Sequence, residues 1–159
     1  MNRESIQQEA LQVILNNKRA GLGISMGVGK TRIAIQHLIT KYNPLLSVLV
    51  VAPKKAIFKA WEDELVKMGV EHLSEHITYT TYLSLNKQNV NEYDAVYLDE
   101  CHSLLMNHEK FLSLYNGPIV GLTGTPPVHS GTDKYFMVNK YCPIKYKFTV
   151  DDASDSGIL

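Results

Sequence analysis

The chain has 159 residues with a formal net charge of zero; 45% of them are apolar and 20% charged. That is the size of one domain able to bury a core without disulfides or a structural metal, with a globular rather than disordered or collagenous composition. No apolar run approaches the roughly 20 residues of a membrane-spanning helix, and a neutral chain has no overall electrostatic signature of a nucleic-acid partner, leaving that task to a local basic strip or to another domain.

The two cysteines, Cys101 and Cys142, form no CxxC pair or Cys/His cluster, which argues against zinc. With no secretory pattern at the N-terminus, free thiols in a reducing cytoplasm are expected.

Short apolar runs alternate with longer helical stretches, the pattern of an α/β domain with a mostly parallel central sheet and helices on both faces. Residues 4–16 place Ile6, Ala10, Leu11, Val13, Ile14 and Leu15 at mostly helical spacing. Residues 20–25 read as a strand entering a glycine-rich turn. Residues 31–42 read as a helix with Ile33, Ala34, Ile35, Leu38 and Ile39 inward, closed by Asn43-Pro44. The run 47–52 (SVLVVA) is that of a strand buried on both faces; Pro53 ends it, and an amphipathic helix follows over 56–68. Further strands are expected over 77–81, 94–98 and 118–122, with a helix over 104–115. A helix over 133–141 and a strand over 146–150 complete the domain, and the acidic, small-residue tail 151–159 reads as a linker.

Met26-Gly27-Val28-Gly29-Lys30-Thr31 lies between an expected strand and an expected helix, the context of a phosphate-binding loop. Gly27 and Gly29 tolerate backbone angles that let successive N–H groups, that of Val28 included, point at a phosphate. The helix beginning near Lys30 adds its positive end. Lys30 would neutralise the β- and γ-phosphates, and Thr31 would offer its hydroxyl to Mg²⁺. The strict G-x-x-x-x-G-K-[ST] pattern is broken by Ile24 where it asks for glycine.

Farther on, Val96-Tyr97-Leu98 runs into Asp99-Glu100-Cys101-His102. Ligands of open parallel sheets bind beyond the C-terminal strand ends, so these carboxylates are expected to meet the phosphate loop at one crevice. Asp99 would hold Mg²⁺ and Glu100 would orient and polarise the attacking water. His102 has no partner spacing for a metal site and is read as a coupling residue.

The motifs MGVGKT, DECH and LTGTP, in this order, resemble those of the superfamily-two helicases and translocases, and within that group the Swi/Snf-type translocases and phage-encoded helicases. The match runs from about Gln7 to Pro127. The resemblance implies a RecA-like P-loop domain over 1–150, with 151–159 beginning a linker to a second RecA-like domain. It implies ATP and Mg²⁺ as ligands and nucleic acid as partner, DNA rather than RNA, with no membrane partner and a cytoplasmic setting, the host's if the chain is phage-encoded.

Gln7, with Gln8 beside it as the alternative register, matches the upstream glutamine that reads the adenine edge, a task suited to an amide that both donates and accepts. Arg3 stands one residue too far out to match the family's arginine there. Pro53 and Lys54 resemble a segment that touches the nucleic-acid backbone, although lysines at a helix start are as often simply solvated. Trp61, downstream, is read as packing rather than base stacking. Thr81 resembles a second backbone contact, and Thr123, Gly124 and Thr125 match the motif linking hydrolysis to nucleic-acid binding. Arg32 is counted among the nucleotide-binding residues but stands in the wrong place to serve as an arginine finger on its own site.

The family draws such arginines from the second domain, so the chain alone is expected to bind ATP weakly and turn it over slowly or not at all. The alternative reading is a stand-alone, non-hydrolysing nucleotide-binding or regulatory module; the intact Glu100 favours the enzyme. A small-molecule kinase would explain the phosphate loop but not DECH and LTGTP.

Overall fold

The computed structural model describes residues 2–25, 27–148 and 152. In chain order the elements are helix α1 (Arg3–Leu15), strand β1 (Arg19–Ile24), helix α2 (Lys30–Lys41), strand β2 (Val48–Ala52), helix α3 (Lys55–Lys67), strand β3 (Ile77–Thr81), strand β4 (Ala95–Asp99), helix α4 (Glu109–Leu112), strand β5 (Ile119–Thr123), helix α5 (Asp133–Tyr141) and strand β6 (Ile144–Phe148). The strands form one six-stranded sheet in the order β3-β2-β4-β5-β1-β6. The pairings β2–β3, β2–β4, β4–β5, β1–β5 and β1–β6 are all parallel.

β2, β4 and β5 are buried at every position, so the sheet needs a cover on each face. On one face Ile6 and Ile14 of α1, Ile33 and Leu38 of α2, and Trp61 and Leu65 of α3 pack against Leu22, Val48, Val50, Tyr97 and Leu122. On the other, Phe111 and Leu112 of α4, Met137, Val138 and Tyr141 of α5, and Tyr82 and Leu85 of a 3₁₀ segment cover Leu49, Val51, Val96, Leu98 and Ile119. Fully burying such side chains stabilises the fold by roughly 1.5–3 kcal/mol each. The entry of α1 is fixed by a capping box, in which Asn2 accepts from the Ser5 N–H at 2.8 Å and the Asn2 N–H donates to Ser5 Oγ at 3.1 Å.

Most expected elements lie within two residues of their observed bounds, and α5 coincides. The helix expected over 104–115 is instead a short 3₁₀ turn, Met106–His108, followed by the single turn of α4, with another 3₁₀ turn, Cys101–Ser103, just before it. Side chains take the backbone groups that a continuous helix would use. The Leu105 N–H donates to His108 Nδ1 (2.9 Å), the Phe111 N–H to Asn86 Oδ1 (3.1 Å), and Asn86 Nδ2 donates to the Asn107 carbonyl (2.9 Å). Ile39, expected inward, is 40% exposed because the last turn of α2 outruns the sheet, with Thr40 and Lys41 also exposed. β6 begins earlier than expected; residues 149 and 150, and the tail 151–159 apart from residue 152, lie outside the described residues.

One polar pair sits in the first core. His37 Nδ1 lies 2.7 Å from the Tyr97 hydroxyl, and both residues are buried. Burial lowers the His37 imidazole from its usual 6.5 to about 4, and Lys41 adds to the shift. A lowered folded-state value means that the unfolded chain binds the proton first, so this stability is complete above pH 6.5 and is lost as pH falls towards 4. Denaturant titrations across that window should show wild type losing up to about 3 kcal/mol more than His37→Gln; parallel curves would remove His37 as the cause.

Candidate functional site

Because the strands run parallel, their C-terminal ends share one edge of the sheet. In spatial order that edge carries Thr81 at the end of β3, Pro53 and Lys54 after β2, Asp99 and Glu100 at the end of β4, Thr123 to Thr125 at the end of β5, and the glycine-rich loop after β1. Met26 lies outside the described residues; Gly27 and Gly29 have φ of 91° and 97°. The positive φ is what favours glycine at position 29; a Cβ there would also crowd the Gln7 amide at 2.5 Å, a side-chain end that can move. The Gln7 amide donates to the Val28 carbonyl at 2.7 Å, tying α1 to the loop.

Gln7, Gly27, Gly29, Lys30, Thr31 and Arg32 line a cleft of about 950 Å³, closed on its far side by α3 residues that include Glu64. Arg32 Nη1 pairs with Glu64 Oε1 at 3.1 Å. Lys30 opens α2, and its ammonium pairs with Glu100 Oε1, joining the β1 and β4 ends across β5.

Asp99 is 1% exposed. Its Oδ2 accepts from the Trp61 indole N–H at 2.7 Å, and its main-chain carbonyl accepts from the Tyr82 hydroxyl at 2.8 Å. Burial pushes the carboxyl upward, and the Trp61 hydrogen bond and the Lys30 charge oppose that push. Oδ1 is buried and meets no hydrogen-bonding partner among the described residues. This leftover acceptor fits Mg²⁺, which is held by one or two protein oxygens together with phosphates and water rather than by an all-protein cage. Among the described residues no trio of His, Cys, Asp or Glu forms such a cage.

Glu100 is the one non-glycine residue with positive φ among the described residues, at φ 52° and ψ 52°. His102 Nδ1 lies 2.7 Å from Thr123 Oγ1, 3.2 Å from Thr125 Oγ1 and 3.6 Å from Glu100 Oε2. The Thr125 N–H closes the group by donating to Thr123 Oγ1 at 3.0 Å. Burial lowers the His102 imidazole, and the Glu100 carboxylate partly offsets it. Gly124 stands between the two threonines, half-buried.

Pro53 and Lys54 are exposed and Thr81 half-buried. Of the lysines that follow on α3, Lys59 is engaged by Asp63 at 3.1 Å.

Sequence reasoning placed Trp61 in the core but missed its bond to Asp99, because helical spacing says which face a residue buries and not which polar group it meets there. It also missed Tyr82 and Glu64, for which no motif gives a signal.

A family profile described as DEAD/DEAH box helicase matches residues 4–129. Among curated proteins none matches. Among solved structures, the UvsW helicase from bacteriophage T4 is similar at a TM-score of 0.73 and 17% identity, over 89% of this chain and 58% of that one. A nuclease-deletion mutant of the Type ISP restriction-modification enzyme LlaGI, in complex with a DNA substrate mimic, is similar at 0.69 and 16%, over 98% and 20%. The Sulfolobus solfataricus SWI2/SNF2 ATPase core in complex with dsDNA is similar at 0.63 and 18%, over 87% and 34%. The chain therefore spans little more than half of the first of these proteins, a fifth of the second and about a third of the third. With the profile covering most of the chain and the all-parallel sheet shared with these structures, the chain belongs to the DEAD/DEAH box helicase family, as a RecA-like domain of superfamily two.

Proposed function

We propose that the chain is the ATP-binding motor domain of a nucleic-acid-dependent ATPase, a helicase or DNA translocase of the cytoplasm, and that a second RecA-like domain completes its active site. The observation that carries this reading is the direct contact between Lys30 of the glycine-rich loop and Glu100 at the neighbouring acidic strand end.

A triphosphate entering the cleft is cradled by the loop N–H groups of Gly27 to Thr31, with Gln7 at the base end and Arg32 on the wall. Lys30 then exchanges Glu100 for the β- and γ-phosphates. The freed Glu100 carboxylate accepts a hydrogen bond from a water and orients it for in-line attack on the γ-phosphorus. ADP leaves through the β–γ bridging oxygen, and the water's proton passes to Glu100. Thr31 and Asp99 are the residues that would hold Mg²⁺, which when bound neutralises charge across the β- and γ-phosphates. His102, Thr123, Gly124 and Thr125 form a hydroxyl and imidazole group beside Glu100 that senses the loss of the terminal phosphate. Pro53, Lys54 and Thr81 stand on the same sheet edge, where a nucleic-acid backbone would lie. The DNA-bound states of the LlaGI and Sulfolobus structures support DNA as that track.

Lys30→Ala should abolish nucleotide binding, as read by calorimetry. Glu100→Gln removes the partner that competes for Lys30, so it should bind nucleotide at least as tightly as wild type. Its turnover, in a form extended through the second domain, should fall by roughly 10²–10⁴-fold. If both variants left that activity intact, the site assignment would be wrong.

The 159-residue chain alone should hydrolyse ATP slowly or not at all; brisk, DNA-stimulated turnover by the monomer would overturn the need for a second domain. A panel of single- and double-stranded DNA and RNA, scored for ATPase stimulation of the extended form, identifies the track. No stimulation by any of them would overturn the nucleic-acid reading.

A further inference from the structure

Asp99 is a buried carboxylate with a single side-chain hydrogen bond, eased by the nearby Lys30 charge and the Glu100 backbone N–H. Lys30 is committed to Glu100, Oδ1 has no hydrogen-bonding partner among the described residues, and the one side-chain donor on the carboxylate is the Trp61 indole N–H at 2.7 Å. Trp61 is fully buried on α3, packed edge-on to Tyr97 with ring centroids 5.8 Å apart. From the opposite face of the sheet the Tyr82 hydroxyl holds the Asp99 main-chain carbonyl at 2.8 Å. One aromatic thus fixes the carboxylate and another fixes the backbone that carries it.

Packing alone would be served by phenylalanine at position 61. A buried indole N–H, however, needs an acceptor, and a carboxylate held at one oxygen has its orientation set and the other oxygen left open.

We infer that Trp61 is a positioning residue for magnesium, its indole N–H holding Asp99 Oδ2 so that Oδ1 remains the acceptor for the ion or its water shell, with Tyr82 bracing the same residue through its backbone. This rests on the nucleotide-and-magnesium reading above. Outer partners of this kind set the orientation and basicity of a ligand, and their loss typically lowers metal affinity by about 10–100-fold. Trp61 is also the only tryptophan of the chain, so the intrinsic emission of the wild-type protein reports on this one contact.

The test uses the 159-residue chain, a fluorescent ADP analogue and magnesium chloride. Trp61→Phe should bind the analogue in EDTA within about twofold of wild type but need about tenfold or more magnesium chloride to reach the tight-binding state. Tyr82→Phe, which keeps the tryptophan, should shift the magnesium midpoint in the same direction by less. In wild type, magnesium chloride added to the ADP-loaded chain should change the tryptophan emission, and Asp99→Asn should remove that response.

A wild-type chain that responds to magnesium together with a Trp61→Phe chain of the same midpoint would sink this inference alone. A silent wild-type emission would do so as well, without depending on whether Trp61→Phe folds. Nucleotide binding by wild type that ignores magnesium would sink the magnesium reading and this inference with it.

Discussion

Parallel pairing of β4 with β5 and of β5 with β1 is the constraint on which the site depends. In register, Asp99 stands opposite Leu122 and Gly23 opposite Thr123, so the ends of β4, β5 and β1 stop at nearly the same level. Antiparallel insertion of any one of them would send its loop to the far edge of the sheet. Parallel strands cannot be joined by tight turns and need covered crossovers, so the helices that bury the sheet also deliver the residues above it. α2 brings Lys30 and Thr31, α3 brings Trp61, and α1 brings Gln7. Packing and function are here the same set of elements, seen from the side and from the edge.

The charges at that edge are arranged so that each is satisfied provisionally. Lys30 has Glu100, Arg32 has Glu64, and His102 has the threonine hydroxyls. The two ion pairs lie beside the cleft or in it, half-buried rather than sealed. An anion with several oxygens would offer Lys30 and Arg32 several charge-assisted bonds at once. Asp99 is different. It is sealed, and the side chains whose hydrogen bonds hold it are both aromatic.

The strand positions, the parallel sheet and the edge position of the motifs were legible in the sequence because they follow from a strong local signal, whereas the order β3-β2-β4-β5-β1-β6 was not. The apolar runs that became β2, β4 and β5 are buried at every position, and the glycines, the acidic pair and the threonines each follow the end of a strand. What stayed hidden was long-range polar pairing. Nothing local to Trp61 says that Asp99 accepts its N–H across 38 positions of sequence. Nothing in the apolar periodicity of residues 104–115 says that Asn86 and His108 will take its backbone groups and break the helix. Periodicity reports which face is buried; it does not report the competing acceptors that tertiary contact brings to that face.

Glu100 illustrates how the fold turns one strand end into two differently aimed carboxylates. Along an extended strand, successive side chains point to opposite faces, which would bury Asp99 under α3 and turn Glu100 towards the 3₁₀ layer. The left-handed backbone at Glu100 ends the strand there and re-aims that side chain to Lys30. Such a conformation in a residue with a side chain costs about 1–2 kcal/mol and persists only where its surroundings over-determine it. Those surroundings are visible: the Tyr82 hydroxyl on the Asp99 carbonyl, the Ser103 N–H on the Glu100 carbonyl at 2.9 Å, and the Lys30 ammonium on its carboxylate. The first two bonds do not involve Lys30, so the backbone turn at Glu100 does not rest on the ion pair alone.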